Sequence, residues 1–533
     1  MHLTSSRWAL ACILMASLAA CARREPDEPK EPEIAGNTPR LRPLDFTPFD
    51  QALSGLNKER QAKVTTLISN STIPDLQKAM QSREVTSEEL TLVLLQRIKR
   101  YDDRYRSYIE LNPLCLEEAR ASDRLRRKGN ISGPLHGIPI NLKDNLDTPA
   151  PMHTTAGAEL LLNHSPAREA AVVTQLRNAG AVILGKASLS ELAGALTTQP
   201  PGYNAVSGIG VNPHGETFPV SGSSSGSAIS TKAFLTIASI GTETSGSLIS
   251  PASMNGVIGM KPSLGRVSSE GVVPLIRFQD SAGPIARHVT DAALLLGVID
   301  QTETDYLSGL DAESLRGVSV GVLRSDVSND DDSDHQAYWL SRIDDGLIRS
   351  GAIRRDVNEK LKDKPELLPV IFLGLSEDTL GYIRNVRPEI RSLEDLRSYN
   401  EAAPLTRIPR GQNMIDLGTR LLASVTSQDD RVSMSRLYED AVLEVRAEAT
   451  ELLERTFAQH QVEVLVSLSN THSALYATAG YPAITVPLGL DPKGAPNGAT
   501  FIGRPGQDAK LLARAFAFEQ AIRPDTKKRP GGP

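Results

Sequence analysis

Apolar positions fall along the chain in short runs of two kinds. From Leu90 they recur at helical spacing through Leu94, Leu95 and Ile98, directly behind Thr86-Ser87-Glu88-Glu89. A hydroxyl residue followed three positions later by glutamate satisfies two free N–H groups reciprocally, so this tetrad predicts a capping box and a helix start. Beyond it, strand-like and helix-like stretches alternate: a strand over 137–142, a helix over 170–179, a strand over 181–184, a helix over 227–235 and a strand over 236–240. Residues 318–323 and 462–468 are further short β-branched runs. Alternation of this kind predicts a layered α/β domain. From about 302 to 448 the chain is more polar and mostly helical in pattern, which predicts an insertion covering the core.

The first residues follow a different logic. Arg7 flanks the apolar run 8–20, which is too short to span a bilayer stably and reads, with the rest of residues 1–20, as a secretory signal. The run ends Leu18-Ala19-Ala20-Cys21, similar to a bacterial lipobox; that similarity implies lipidation of Cys21 as the first mature residue, the alternative being a plain signal cut nearby. Residues 21–48 are rich in Pro and charge and are expected to form a disordered tether, because they bury too little apolar area to offset the entropy of ordering. Extended, such a tether reaches roughly 80 Å. Ala22, rather than an acidic residue, follows the cysteine, which implies the outer membrane, facing the periplasm. Residues 49–525 then form the folded domain, with core motifs in 133–300, the helical insertion over about 302–448, a C-terminal part over 449–525 and a tail over 526–533.

Composition narrows the chemistry. The 533 residues are 40% hydrophobic and 23% charged, ordinary for a globular chain large enough to need no disulfides. Lys and Arg total 58 against 64 Asp and Glu, a balance that argues against a nucleic-acid binder. The cysteines Cys12, Cys21 and Cys115 form no CxxC pair, and no HExxH or Ser-x-x-Lys occurs, which excludes the commonest zinc and penicillin-binding signatures. Residues 180–186 match most of a phosphate-binding loop, yet Ala187 stands where a Mg²⁺-binding Ser or Thr is required, so Lys186 is expected to be structural. Gly222-Ser223-Ser224-Ser225-Gly226 satisfies GxSxG, which would make Ser224 an esterase nucleophile served by a late histidine, His460 or His472.

Three segments carry a stronger signal. The first, opening Gly133-Pro134-Leu135-His136-Gly137, is an apolar strand candidate that delivers Lys143 near its end. The second, Ser221-Gly222-Ser223-Ser224-Ser225-Gly226-Ser227, precedes an apolar helix, unlike a linker. The third is Gly241-Thr242-Glu243-Thr244-Ser245-Gly246-Ser247 and its continuation to Ala252. Lys143 and Ser223 lie 80 residues apart, and Ser223 and Ser247 lie 24 apart.

Together these segments closely resemble the amidase signature family, over about 75–300 and again at 480–489, and the local wording is most similar to bacterial peptide amidases. The resemblance implies an α/β layered fold with a mixed central sheet covered by helices. It also implies a Ser–cisSer–Lys unit: Ser247 the nucleophile, Ser223 the bridging serine after a cis peptide from Gly222, and Lys143 the base. Backbone N–H groups of Thr244, Ser245, Gly246 and Ser247 would form the oxyanion hole, with Thr242 and Ser224 supporting the unit. Such a lysine has to lose several units of pKa, since at its ordinary value of about 10.4 it is protonated at neutral pH. No metal or organic cofactor is expected, nor nucleic acid, nor an obligatory protein partner; the expected substrate is a small amide or peptide amide.

One departure is visible: Ile249 and Ser250 occupy positions where many members carry an arginine, which disfavours a malonamide-type substrate and is compatible with a neutral amide. The export signal disfavours the family's aminoacyl-tRNA amidotransferase subunits. A tethered binding lipoprotein that kept the fold and lost turnover is the alternative from outside enzymology.

Overall fold

The computed structural model describes residues 40–196, 200–302, 304–324, 333–361, 365–426 and 433–523. The secretory signal, Cys21, most of the tether and the 526–533 tail lie outside the described residues.

The strands are β1 (Tyr108–Leu111), β2 (Pro139–Lys143), β3 (Val182–Ala187), β4 (Tyr203–Asn204), β5 (Gly208–Ile209), β6 (Ala238–Glu243), β7 (Ile258–Lys261), β8 (Ser281–Ala286), β9 (Ser319–Leu323), β10 (Ile353–Val357), β11 (Val464–Leu468), β12 (Ala483–Leu490) and β13 (Pro496–Ile502). Eleven of them build one sheet in the order β1-β3-β2-β6-β8-β7-β12-β13-β11-β9-β10, and β4 and β5 pair separately. The sheet is mixed. β2 runs parallel to both β3 and β6, whereas β8 runs antiparallel to β6 and β7. Strands β2, β3, β6, β7, β8 and β13 are buried along their whole length, as expected of a sheet covered on both faces.

Local chemistry explains the elements that the pattern predicts. Thr86 and Glu89 form the reciprocal capping box at the head of helix Ser87–Tyr105, which buries Leu90, Leu94, Leu95 and Ile98. The stretch 170–179 forms helix Ala171–Asn178, and 227–235 forms helix Ser225–Lys232, starting two residues earlier. The strand expected over 181–184 continues to Ala187, which draws Lys186 into the sheet.

Two boundaries differ from expectation. Residues 40–48 belong to the folded domain rather than to a tether. Arg40 Nη2 meets Asp102 Oδ2 at 2.8 Å and its Nη1 donates to Tyr108 O at 2.6 Å. Leu41 N donates to Val206 O at 2.9 Å. Composition counts an arginine as solvated, but a fully buried Asp102 carboxylate demands a cation, and Arg40 supplies it. The insertion, in turn, is not wholly a cover: β9 and β10 lie within 302–448 and pair in the main sheet. Its far limit falls inside helix Met434–His460, which runs unbroken past 448. From Leu368 onward the segment is helical, and Leu373, Leu375, Leu380, Ile383 and Tyr438 pack on Leu160, Leu161, Leu275 and Ile276 of the core. The cover thus sits on the loops that border the site.

Candidate active site

Parallel neighbours carry their C-terminal ends to the same edge of a sheet. Here β2 ends at Lys143 and adjacent β6 ends at Thr242 and Glu243. Lys143 is fully buried, and its Nζ lies 2.7 Å from Ser223 Oγ, 2.7 Å from Thr242 Oγ1 and 3.3 Å from Thr242 O. A protonated amine donates to all three. A neutral one donates to the two Thr242 oxygens and leaves its lone pair for the Ser223 hydroxyl. Burial lowers the Lys143 pKa from 10.5 to about 7, against the opposing pull of the Asp280 and Glu243 carboxylates. Desolvation wins because a lone ammonium in a dry site loses more hydration than two carboxylates at a distance return.

The serine segment is shaped to present Ser223. The Gly222–Ser223 peptide is cis, and Ser221 before it has φ +58. A Cβ at position 222 would lie 2.2 Å from Ser190 Oγ, so a side chain there is sterically barred. Ser190 N donates to Ser223 O at 2.9 Å, tying down the carbonyl side. Ser224 Oγ donates to Thr242 O at 3.0 Å and accepts from Thr242 N at 3.2 Å, which staples this segment to β6.

Ser247 follows β6 on the turn leading to helix Ile249–Asn255, and its carbonyl accepts from Ser224 N at 3.2 Å. Among the described residues none hydrogen-bonds to Ser247 Oγ, and none accepts the N–H groups of Ser245, Gly246 or Ser247. The next two N–H groups, Leu248 and Ile249, are both taken by Glu243 Oε2, at 2.8 and 3.1 Å. Gly246 has φ +80, and a Cβ there would lie 2.9 Å from Ser473 Oγ. The turn therefore holds a serine hydroxyl beside consecutive uncommitted donors, the arrangement that stabilises an oxyanion.

Other sequence candidates resolve differently. Ser224 has both hydrogen-bonding roles filled by Thr242, while His472 Nδ1 bonds Ser467 Oγ at 2.7 Å and His460 Nε2 bonds Glu359 at 3.0 Å. The esterase arrangement of Ser224 with either histidine is therefore not formed. Lys186 Nζ is fully buried, 3.2 Å from Asp144 Oδ1, and donates to Leu146 O at 2.7 Å and His153 O at 2.9 Å. It ties together the loop after β2 and has no phosphate-facing role. Sequence reasoning missed Asn145, whose Nδ2 donates to Thr242 Oγ1 at 3.0 Å, and Gln279 and Asp280, which lie against Thr244. Asn145 sits two residues after Lys143 in the first segment, so its position was the available signal. Among the described residues no group of three His, Cys, Asp or Glu is placed to hold a metal ion.

Comparison with known proteins gives the class. A family model described as Amidase matches residues 89–512. A probable amidase of Arabidopsis thaliana is 36% identical over 486 residues, covering 86% of this chain and 91% of its own. The crystal structure of an amidase family protein from Bacillus anthracis superposes with a TM-score of 0.81 at 30% identity, over 94% of this chain and 98% of that one. The peptide amidase of Stenotrophomonas maltophilia superposes with a TM-score of 0.74 at 34% identity, over 85% and 97%. Fold, site and relatives together define an enzyme that hydrolyses amide bonds. The chain belongs to the amidase signature family, with peptide amidase among its structural neighbours.

Proposed function

We propose that this enzyme converts a carboxamide, R–CO–NH₂, to the carboxylate and ammonia through an acyl-enzyme on Ser247, with Ser223 as proton relay and Lys143 as base. Ser247 Oγ attacks the carbonyl carbon while its proton passes to Ser223, whose own proton goes to the neutral Lys143 amine. The carbonyl oxygen becomes an oxyanion facing the N–H groups of the 244–247 turn. As the tetrahedral intermediate collapses, the relay returns the proton to nitrogen, so ammonia leaves rather than an amide anion. Water then enters by the same route and releases the carboxylate. The observation that carries this reading is a buried amine, with its pKa near neutrality, 2.7 Å from Ser223 Oγ.

The favoured substrate is a peptide C-terminal amide. The peptide amidase neighbour supports this, as do the uncharged residues Ile249 and Ser250 after the nucleophile, which offer no cation to a substrate carboxylate. The enzyme is exported and lipid-anchored through Cys21, facing the periplasm from the outer membrane; the lipobox-like run and Ala22 support this.

Ammonia release measured across amidated dipeptides, fatty amides and aromatic amides tests the substrate, with Lys143→Ala as control. Turnover confined to fatty amides would overturn the peptide assignment. A fluorophosphonate probe tests the nucleophile: loss of labelling in Ser247→Ala supports the assignment, and absence of labelling in the folded wild-type protein points to a binder instead. Incorporation of labelled fatty acid into wild-type protein but not Cys21→Ala tests the anchor.

A further inference from the structure

The turn that carries the oxyanion donors is held by residues outside the three signature segments. Thr244 opens the turn, and two consecutive side chains just before β8 engage it. Gln279 Nε2 donates to Thr244 O at 2.7 Å, and Thr244 Oγ1 donates to Asp280 Oδ1. The other Asp280 oxygen accepts from Leu275 N at 2.8 Å and Ile276 N at 3.0 Å. Gln279 and Asp280 are 2% and 7% exposed, so water does not compete for these bonds. At its far end the turn is fixed by Glu243 through Leu248 N and Ile249 N. Between the two fixed ends lie the N–H groups of Ser245, Gly246 and Ser247.

The 274–280 loop is itself held by the helical cover. Asp378 accepts from Arg277 N at 2.8 Å and Tyr438 OH at 2.6 Å, and Thr379 Oγ1 donates to Pro274 O at 2.7 Å. A turn of Thr, Ser, Gly and Ser has little stiffness of its own, because glycine is conformationally free and the neighbours are small. Oxyanion donors act by being fixed before reaction, so the stiffness has to come from elsewhere.

We propose that Gln279 and Asp280 are positioning residues that set the oxyanion turn through Thr244. This rests on the assignment of Ser247 as nucleophile. Gln279 grips the carbonyl and Asp280 the hydroxyl, so neither rotation of the Thr244 peptide nor drift of its side chain is free.

The test compares Thr244→Val, Thr244→Ser and Gln279→Met with wild type, using kcat and KM on an amidated dipeptide and affinity for the matching peptide aldehyde. The aldehyde forms a reversible hemiacetal with Ser247 and so samples the tetrahedral geometry. Removing one oxyanion donor outright costs about 10²–10³ in kcat, and misplacing several slightly is expected to cost about 10- to 100-fold. Thr244→Val and Gln279→Met should lower kcat by that factor with KM within about twofold, and weaken the aldehyde by a similar factor. Thr244→Ser, which keeps the hydroxyl, should recover to within about threefold of wild type. Folded variants with kcat near wild type, a loss confined to KM, or no rescue by serine would overturn the proposal. If Gln279→Met fails to fold, the Thr244 pair still decides. Wild-type Ser247 that resists a fluorophosphonate would instead overturn the nucleophile assignment.

Discussion

Activity should switch on with rising pH through one ionisation near 7, that of Lys143. The lowering from 10.5 to about 7 corresponds to about 5 kcal/mol of disfavour for the charged amine. At pH 7 about half of the molecules then carry a usable base, against roughly one in 3,000 for an unperturbed lysine. Initial rates of ammonia release from an amidated dipeptide, taken from pH 5 to 9, should give a kcat/KM that rises about tenfold per unit below pH 6 and levels off above about 8. The same ionisation leaves a mark on stability. The folded-state pKa lies below the unfolded one, so between about 7 and 10.5 the unfolded chain binds more protons and stability rises with pH; below about 7 the cost is present in full. Lys143→Met removes that cost along with activity. Urea melts at pH 7 and pH 10 should therefore show the wild-type deficit relative to the variant shrinking by about 4 kcal/mol. Comparison with the variant matters because Lys261, buried and lowered to about 8, titrates in the same window. A rate profile flat from pH 5.5 to 8.5, or a midpoint above 9, would refute the reasoning.

Three further outcomes are expected. Gly246→Ala places a Cβ 2.9 Å from Ser473 Oγ at φ +80 and should lower kcat at least 100-fold, as roughly expected for a displaced oxyanion donor, with the far-ultraviolet circular dichroism unchanged. Lys186→Met leaves the buried Asp144 carboxylate without its cation and should destabilise the fold by about 3–5 kcal/mol in denaturant melts, whereas ATP should not shift the wild-type melting temperature. Replacing His460 and His472 together by Gln and Asn should leave amide hydrolysis within about fivefold of wild type, measured by ammonia release; abolition would restore a histidine-dependent mechanism.

What the chain shows before folding depends on how local the signal is. Ser223 and Ser247 stand in unusual Gly- and Ser-rich wording and Lys143 near the end of an apolar strand candidate, so each announces itself within a dozen residues. Gln279 and Asp280 do not, since a lone amide and carboxylate between Phe278 and a strand look like any loop until Thr244 is brought against them. The sheet divides in the same way. β3 and β11 are rich in β-branched residues and legible, but β8 reads Ser-Ala-Gly-Pro-Ile-Ala and lacks that signature. Its small residues are required by close packing: a Cβ on Gly283 would lie 2.1 Å from Met260 O. β10 was obscured for the opposite reason. As the outermost strand it exposes Ile353, Arg354, Arg355 and Asp356, so its composition is that of a surface. The fold class was legible because alternating elements suffice for it; the support behind the site was not, because it exists only as tertiary contact.

Arg40 ties the start of the folded domain to the edge of the main sheet. It closes on β1, the outer strand at one margin of the sheet, where a free carbonyl would otherwise invite pairing with another chain. The Arg40–Asp102 pair and the backbone of β1 thus form the margin of the sheet, two strands out from β2, where Lys143 sits.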